Sequence, residues 1–229
     1  MSKKPAHKHR NRKSRAKRPR RRWVPVLVIA IVVAAAACCV ALRQSGRLTA
    51  ATNTSEDIDA SEVPDYIDVQ LLTVNSYSRP GIALDEVNGI VIHYTANPGT
   101  TAQENRDYFE GLATSGEAKV SSHFVIGIDG EVIQCIPTAE IAYASNSRNS
   151  DTLSIECCHK SEDGSFTKKT YNSLMKLTAW LCLRYGLTSD DVIRHYDVTG
   201  KNCPKYFVEH EDAWETFKAD VDALIVKNS

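Results

Sequence analysis

Residues Trp23–Leu42 (WVPVLVIAIVVAAAACCVAL) are twenty consecutive positions without a charge, and they divide everything else in the chain. At ~1.5 Å rise per residue, a helix of this length matches the ~30 Å hydrocarbon core of a bilayer. The charge distribution is organised around it. Residues 1–43 hold 13 of the 28 Lys and Arg and none of the 28 Asp and Glu, so the remaining 186 residues carry 15 basic and 28 acidic side chains, a net of 15 − 28 = −13. A formal net charge of zero therefore hides two oppositely charged ends.

The basic run ending in Lys17, Arg18, Pro19, Arg20, Arg21 and Arg22 abuts the apolar stretch, and only Arg43 and Arg47 follow closely. The positive-inside rule then places residues 1–22 in the cytoplasm and everything beyond the span outside the cell. A basic tail for nucleic acid is the alternative reading of residues 1–22, disfavoured by its direct junction with an apolar 20-mer. A cleaved signal peptide is the rival for 23–42. The stretch is long for a signal-peptide core and no clear small-x-small site follows it, which favours an uncleaved anchor. Residues 43–62 are polar, without aromatics or hydrophobic periodicity, and are expected to form a flexible tether. One domain, 63–229, remains, long enough for a proper core.

Strand and helix signals alternate through that domain. Asn88–Tyr94 (NGIVIHY) reads as a buried strand, and Thr101–Leu112 has helical spacing. Ser122–Ile128 and Glu131–Ile136 flank Asp129-Gly130, a strong short hairpin signal. Thr152–Cys158 reads as another strand, and Thr170–Tyr185 as an amphipathic helix closed by Gly186. Val192–His195 is a short strand that delivers His195 to a loop, and Asp212–Val226 a final helix. The expectation is an α/β architecture, a single mixed central β-sheet flanked by helices and preceded by one transmembrane helix.

Within this frame, His93, His195 and Cys203 are candidate metal ligands. Imidazole nitrogen and thiolate sulfur suit a borderline-soft ion such as Zn²⁺, and three protein ligands leave a position open for water. Alone, His93 reads as a structural strand histidine. The loop between His195 and Cys203 is rich in turn residues (Asp197, Gly200, Asn202, Pro204) and can fold both side chains toward one point; a buried or disulfide-bonded Cys203 beside a satisfied histidine is the alternative. Strand alternation puts Ser154, Glu156 and Cys158 on one face, with Ile155 and Cys157 on the other. A carboxylate in such a strand is costly unless paired or functional, so Glu156 is a candidate general base, a solvent-facing edge glutamate being the alternative. Lys201 is either an electrostatic stabiliser of a developing oxyanion or a solvated loop lysine.

The strings SYSRPG (76–81), IVIHYTANPG (90–99), SSHFVIGIDGEVIQCIP (121–137), SIECC (154–158) and RHYDVTGKNCPKYF (194–207) resemble the type-2 N-acetylmuramoyl-L-alanine amidases, over nearly all of residues 70–210. The resemblance implies the fold of peptidoglycan recognition proteins and phage lysozyme-type amidases. It also implies a zinc enzyme that cuts the amide between the lactyl group of N-acetylmuramic acid and L-alanine of the stem peptide. Carried across, His93, His195 and Cys203 match the zinc ligands, Glu156 the catalytic glutamate, and Lys201 the lysine that assists it. By position alone, Tyr94, Asn97 and Asn146 are expected to line the groove for glycan or stem peptide; His123, beside the hairpin, is open to a ligand, pocket or core role and is expected in the pocket or just behind it. One position departs from the pattern. Some relatives carry a tyrosine immediately before the residue matching His123, whereas this chain has Ser122, which places more of the proton chemistry on Glu156.

The expected partners are peptidoglycan and, through a single-pass anchor, the membrane; no nucleic acid is expected, and the protein is expected to be a monomer. A non-catalytic peptidoglycan receptor is the competing class, disfavoured because such relatives typically lose the cysteine ligand. With Cys203 given to zinc, Cys135, Cys157, Cys158 and Cys182 form an even set, open to two disulfides or to four buried thiols.

Overall fold

The strands form where β-branched and aromatic residues cluster, and their order is fixed by one tight turn and several crossovers. A computed structural model describes residues 58–229; the basic run 1–22 and the apolar span 23–42 lie outside the described residues. The strands are β1 (Ile67–Val69), β2 (Ile90–Tyr94), β3 (Phe124–Ile126), β4 (Val132–Gln134), β5 (Leu153–Cys157) and β6 (Val192–Arg194). The helices are α1 (Ala102–Ser115), α2 (Lys168–Tyr185), α3 (His195–Thr199), α4 (Lys205–Glu209) and α5 (Glu211–Asn228), with 3₁₀ turns at Asn146–Arg148 and Ser189–Asp191. One six-stranded sheet runs in the order β1-β4-β3-β5-β2-β6. β3, β5, β2 and β6 are mutually parallel, and only the β3–β4 hairpin is antiparallel, so the sheet is mixed as expected.

Local chemistry sets the element ends. Gly130 adopts φ +87° in the hairpin turn, a conformation that favours a residue without Cβ. Helix α1 starts with a reciprocal cap, in which Glu104 N donates to Thr101 Oγ1 (3.1 Å) and Thr101 N to Glu104 Oε2 (2.8 Å). Helix α2 is capped by Thr167 and closed by Gly186 in the left-handed region. Gly89 leads into β2 where a Cβ would sit 2.9 Å from the Asp191 carbonyl oxygen.

Period-2 alternation sends the two sides of each strand to different layers. Ile90, Ile92, Phe124, Ile126, Leu153, Ile155 and Cys157 pack in one core with Trp180 and Leu181 of α2, Phe207 of α4, and Trp214, Phe217 and Val221 of α5. Phe207 of α4 packs on Phe217 (5.3 Å) and on Trp214 (5.5 Å), which fastens α4 and α5 to each other. On the opposite face, Val125, Ile133 and Cys158 pack with Phe109 and Leu112 of α1. Helix α1 lies over β3 and β4, so the β2–β5 part of this second face carries the polar side chains Ser154, Glu156 and His93.

Four differences from the sequence reading are informative. β1 and α4 escaped it because three and five residues are too short to show a period. Ser122 and His123 precede β3 rather than beginning it, because His123 points its ring at β5. His195 starts a helix instead of a loop, because Asp197 caps that turn by accepting from Arg194 N (2.8 Å). Residues 58–62, assigned to the tether, are docked. Trp180 Nε1 donates to the carbonyls of Asp59 and Glu62 (3.2 Å each), Arg184 Nη1 to those of Ala60 and Ser61 (3.0 and 3.1 Å), and Ile58 N to Asn228 Oδ1 (2.8 Å). These bonds use backbone carbonyls, which no composition signal reveals. Among the described residues no helix is long and apolar enough to cross a membrane.

Trp180→Phe keeps an aromatic ring in the core and removes the donor that holds Asp59 and Glu62. It should cost about 1 kcal/mol of unfolding free energy, the net worth of a typical hydrogen bond. Urea denaturation measures this, and an unchanged midpoint would show that the segment contributes nothing to the fold.

Candidate metal centre

In-register pairing of β2 with β5 sets His93 directly beside Glu156. Neighbours in register on parallel strands point to the same face, so both side chains emerge on the part of the sheet that α1 leaves uncovered. β6 pairs with the other edge of β2, with Ile92 opposite Arg194, and the chain turns into α3 at the next residue, His195. Gly200, at φ +76°, ends α3 and reverses the backbone. Tyr196 N then donates to Cys203 O (2.9 Å), which brings Cys203 back against His93. Arg194 braces this strand-to-helix corner, bonding Asp197, Glu211 (2.6 Å) and the Phe207 carbonyl (3.0 Å).

The three expected ligands converge. The ligand atoms of His93, His195 and Cys203 lie within 4.8 Å of one another, and all three residues are buried. His93 Nδ1 is 3.9 Å from Cys203 Sγ, and the two imidazole centroids are 4.6 Å apart. His195 Nδ1 is buried with no hydrogen-bond partner among the described residues. A buried nitrogen that bonds nothing, set against a second imidazole and a thiol, fits a zinc ion in its donor set and its open lone pair. Burial, then His195 and then Lys201, hold the His93 pKa well below the usual histidine value; burial and Lys201 lower that of His195. Both rings are thus kept neutral, as metal ligation requires. The Cys203 thiol is pushed up to about 12 by burial and by the charge of Glu156, opposed by a Tyr94 backbone hydrogen bond and by Lys201.

Glu156 lies on a central strand between β3 and β2, not on an edge. Its Oε2 is buried without a hydrogen-bond partner among the described residues, and burial pushes the carboxyl up to about 8, with Lys201 opposing. Lys201 is exposed, yet its charge reaches His93, His195, Glu156 and Cys203. It therefore overlooks the whole cluster.

The expected groove residues separate. Tyr94 is half-buried at the end of β2, its ring 5.1 Å from that of His159. Asn97 is exposed and lines a shallow cavity of about 340 Å³ with Thr95, Thr100, Glu104, Asn105 and Tyr108. His123 does not join them. It is 1% exposed; its Nδ1 accepts from Ser154 N (3.0 Å) and its Nε2 donates to Glu140 O (2.8 Å). With both nitrogens engaged it cannot reach a substrate, and burial takes its pKa down to about 4. Ser122, where some relatives have tyrosine, is buried and donates to Ser154 O (2.9 Å), facing the sheet. Asn146 is exposed, but its Oδ1 sits 2.9 Å from His195 Nε2. Ser145 and Asn149 support this turn and were missed, because nothing in a short polar run distinguishes them from solvated loop. All five described cysteines are free and buried, which removes the disulfide alternative among them.

Residues 83–206 match the family model described as N-acetylmuramoyl-L-alanine amidase. The chain is 38% identical over 164 residues to the N-acetylmuramoyl-L-alanine amidase CwlL of Bacillus licheniformis, covering 66% of this chain and 45% of that protein. It is 34% identical over 173 residues to the N-acetylmuramoyl-L-alanine amidase BlyA of Bacillus subtilis (strain 168), covering 66% and 46%. The chain thus spans about half the length of the curated relatives it matches. The structure of the catalytic domain of XlyA superposes with a TM-score of 0.57 at 27% identity, covering 68% of this chain and 98% of that one.

In chelated protein, the folded state binds the Glu156 proton up to about pH 8, whereas the unfolded chain releases it near 4.5. Between those values the folded state holds more protons, so ionising Glu156 removes stability as pH rises. Relative to Glu156→Gln, wild type should lose up to about 1.4 kcal/mol per pH unit within that window. Denaturation of both proteins from pH 5 to 8 in EDTA checks this; a constant difference would show that Glu156 is not buried as a neutral acid.

Proposed function

Because this chain belongs to the N-acetylmuramoyl-L-alanine amidase family, whose model spans residues 83–206, we propose that it hydrolyses the amide between the lactyl group of N-acetylmuramic acid and L-alanine in peptidoglycan, with Zn²⁺ held by His93, His195 and Cys203. The observation that carries this reading is the buried His93–His195–Cys203 set beside the unpaired Glu156 carboxyl on the uncovered part of the sheet.

A zinc ion held there would supply Lewis acidity, polarising the scissile carbonyl and acidifying a nearby water. Glu156 supplies the proton path. In its ionised form Oε2 accepts a proton from the attacking water, and the same carboxyl then donates it to the departing alanine amine. Its burial suits both steps, since an acid raised toward neutrality can hold and release a proton at physiological pH. Lys201, positively charged at the rim, stabilises negative charge on the former carbonyl oxygen. Tyr94, at the end of β2 beside His93, and Asn97, on the shallow cavity that follows it, would contact the stem peptide or glycan. Ser122 faces the sheet, so no hydroxyl duplicates the role of Glu156 from that position.

Purified sacculi report the reaction through new amino-terminal alanine. Cys203→Ser and His195→Ala should each reduce release to background together with bound zinc; full activity in either, with metal content measured, would sink the ligand assignment. Lys201→Ala should lower kcat by about 10²–10³ if it acts as an oxyanion donor.

We also propose that residues 23–42 form an uncleaved membrane anchor, with residues 1–22 cytoplasmic and the amidase domain outside, facing the wall. The charge asymmetry and the uncharged 20-mer support this. The full chain should remain with membranes after alkaline carbonate washing and be digested by protease added to protoplasts. Recovery of a soluble protein lacking residues 1–42 would overturn it.

A further inference from the structure

A single turn reaches the outward nitrogens of both metal-site histidines. Ser145 Oγ lies 3.3 Å from His93 Nε2, and the adjacent Asn146 Oδ1 lies 2.9 Å from His195 Nε2. An amide oxygen only accepts, so His195 Nε2 carries the hydrogen and the ring lone pair falls on Nδ1. That Nδ1 is the buried nitrogen without a partner. His93 is disposed alike, with Nε2 toward Ser145 and Nδ1 toward Cys203 Sγ at 3.9 Å.

The turn is built to hold these atoms in place. Asn149 Oδ1 accepts from Ala144 N (3.1 Å) and Ser145 N (2.6 Å), which closes the loop from inside. Thr152 Oγ1 donates to Arg148 O (2.6 Å), and Arg148 Nε reaches both carboxylate oxygens of Asp151 (2.8 and 2.9 Å), tying the turn to the start of β5. Asn146 itself adopts φ +52°, in the left-handed region where asparagine is tolerated better than most residues. From this conformation its Oδ1 meets His195 Nε2.

We propose that Ser145 and Asn146 are positioning residues for the metal centre: from one turn Asn146 fixes the tautomer of His195 and Ser145 braces the ring of His93, with Nδ1 of each turned inward, and so they set the affinity for Zn²⁺. The groups bonded to the outer nitrogen of a ligating histidine fix its tautomer and orientation, and their loss typically weakens metal binding 10–100-fold. The inference rests on His93, His195 and Cys203 being the zinc ligands. It replaces a direct role for Asn146 in substrate contact by one exerted through His195.

The full chain, metal-free and then titrated with Zn²⁺ against a chromophoric chelator, tests both levels separately. Asn146→Gly accepts positive φ and lacks the acceptor, whereas Asn146→Asp retains one. Zinc affinity should fall at least 10-fold in Asn146→Gly and Ser145→Ala and stay within about 3-fold of wild type in Asn146→Asp. The Co²⁺-loaded form of Asn146→Gly should show a shifted visible spectrum, while the denaturation midpoint of its chelated form stays at the wild-type value. Wild-type zinc affinity in Asn146→Gly, or equal losses in Gly and Asp variants, would overturn the positioning role. Wild-type protein that fails to bind zinc, or His195→Ala that binds it normally, would instead overturn the ligand reading beneath it.

Discussion

The parallel, in-register pairing of β2 with β5 is the constraint on which the rest of the site depends. It sets His93 and Glu156 side by side on the same face at adjacent positions of the sheet interior. A one-residue slip would turn one of them into the apolar core on the other side. That slip is opposed by Ile90, Ile92, Leu153 and Ile155, which share the core with α2 and α5 only in this register. The apolar half of each strand therefore fixes the geometry of its polar half. β6 extends the arrangement by one strand, and its abrupt conversion to α3 at Arg194–His195 supplies the second imidazole.

Coverage of the sheet decides where chemistry can occur. One face is closed by α2, α4 and α5 with stacked aromatic rings, while the other is closed by α1 over β3 and β4. What remains is a polar strip over β5 and β2, where Ser122, His123 and Ser154 satisfy one another, whereas Glu156 Oε2 and His195 Nδ1 have no partner among the described residues. Those two behaviours lie on the same strand, β5, two residues apart. Ser154 forms bonds that hold the strand, and Glu156 Oε2 has no hydrogen-bond partner among the described residues. Buried polar atoms without partners are destabilising, and Glu156 Oε2 and His195 Nδ1 are two such atoms at the place where a ligand or substrate would complete them.

Much of this was legible in the sequence, for identifiable reasons. The strand and helix positions followed from periodicity and from Asp129-Gly130, Thr101 and Gly186 at the ends of elements. Glu156 stood out as a carboxylate in an apolar strand, whereas His93, His195 and Cys203 were brought together by the resemblance of IVIHYTANPG and RHYDVTGKNCPKYF to the family's motifs. The sequence was silent wherever function passes through the backbone or through small polar side chains. The docking of residues 58–62 uses carbonyl oxygens, the role of Ser145 depends on a turn too short to show a period, and Asn149 acts only through backbone amides. His123 misled for a related reason. A histidine beside a hairpin looks available for a ligand, but the β5 backbone amide and the Glu140 carbonyl occupy both of its nitrogens.

The distribution of restraint around the metal centre follows from this division. His93 is held by the sheet and His195 by a helix start, so neither backbone can adjust independently to a ligand. Cys203 is different, because it returns on a loop that Gly200 opens and the Tyr196–Cys203 hydrogen bond closes. Of the three side chains, Cys203 alone is carried by a loop. The outward nitrogens of the two imidazoles, by contrast, meet the Ser145–Asn146 turn, which is anchored to the start of β5 rather than to the Cys203 loop. The turn at 145–146 and the loop that carries Cys203 are therefore separate segments of the chain, and under the proposed ligation a change in one need not disturb the other.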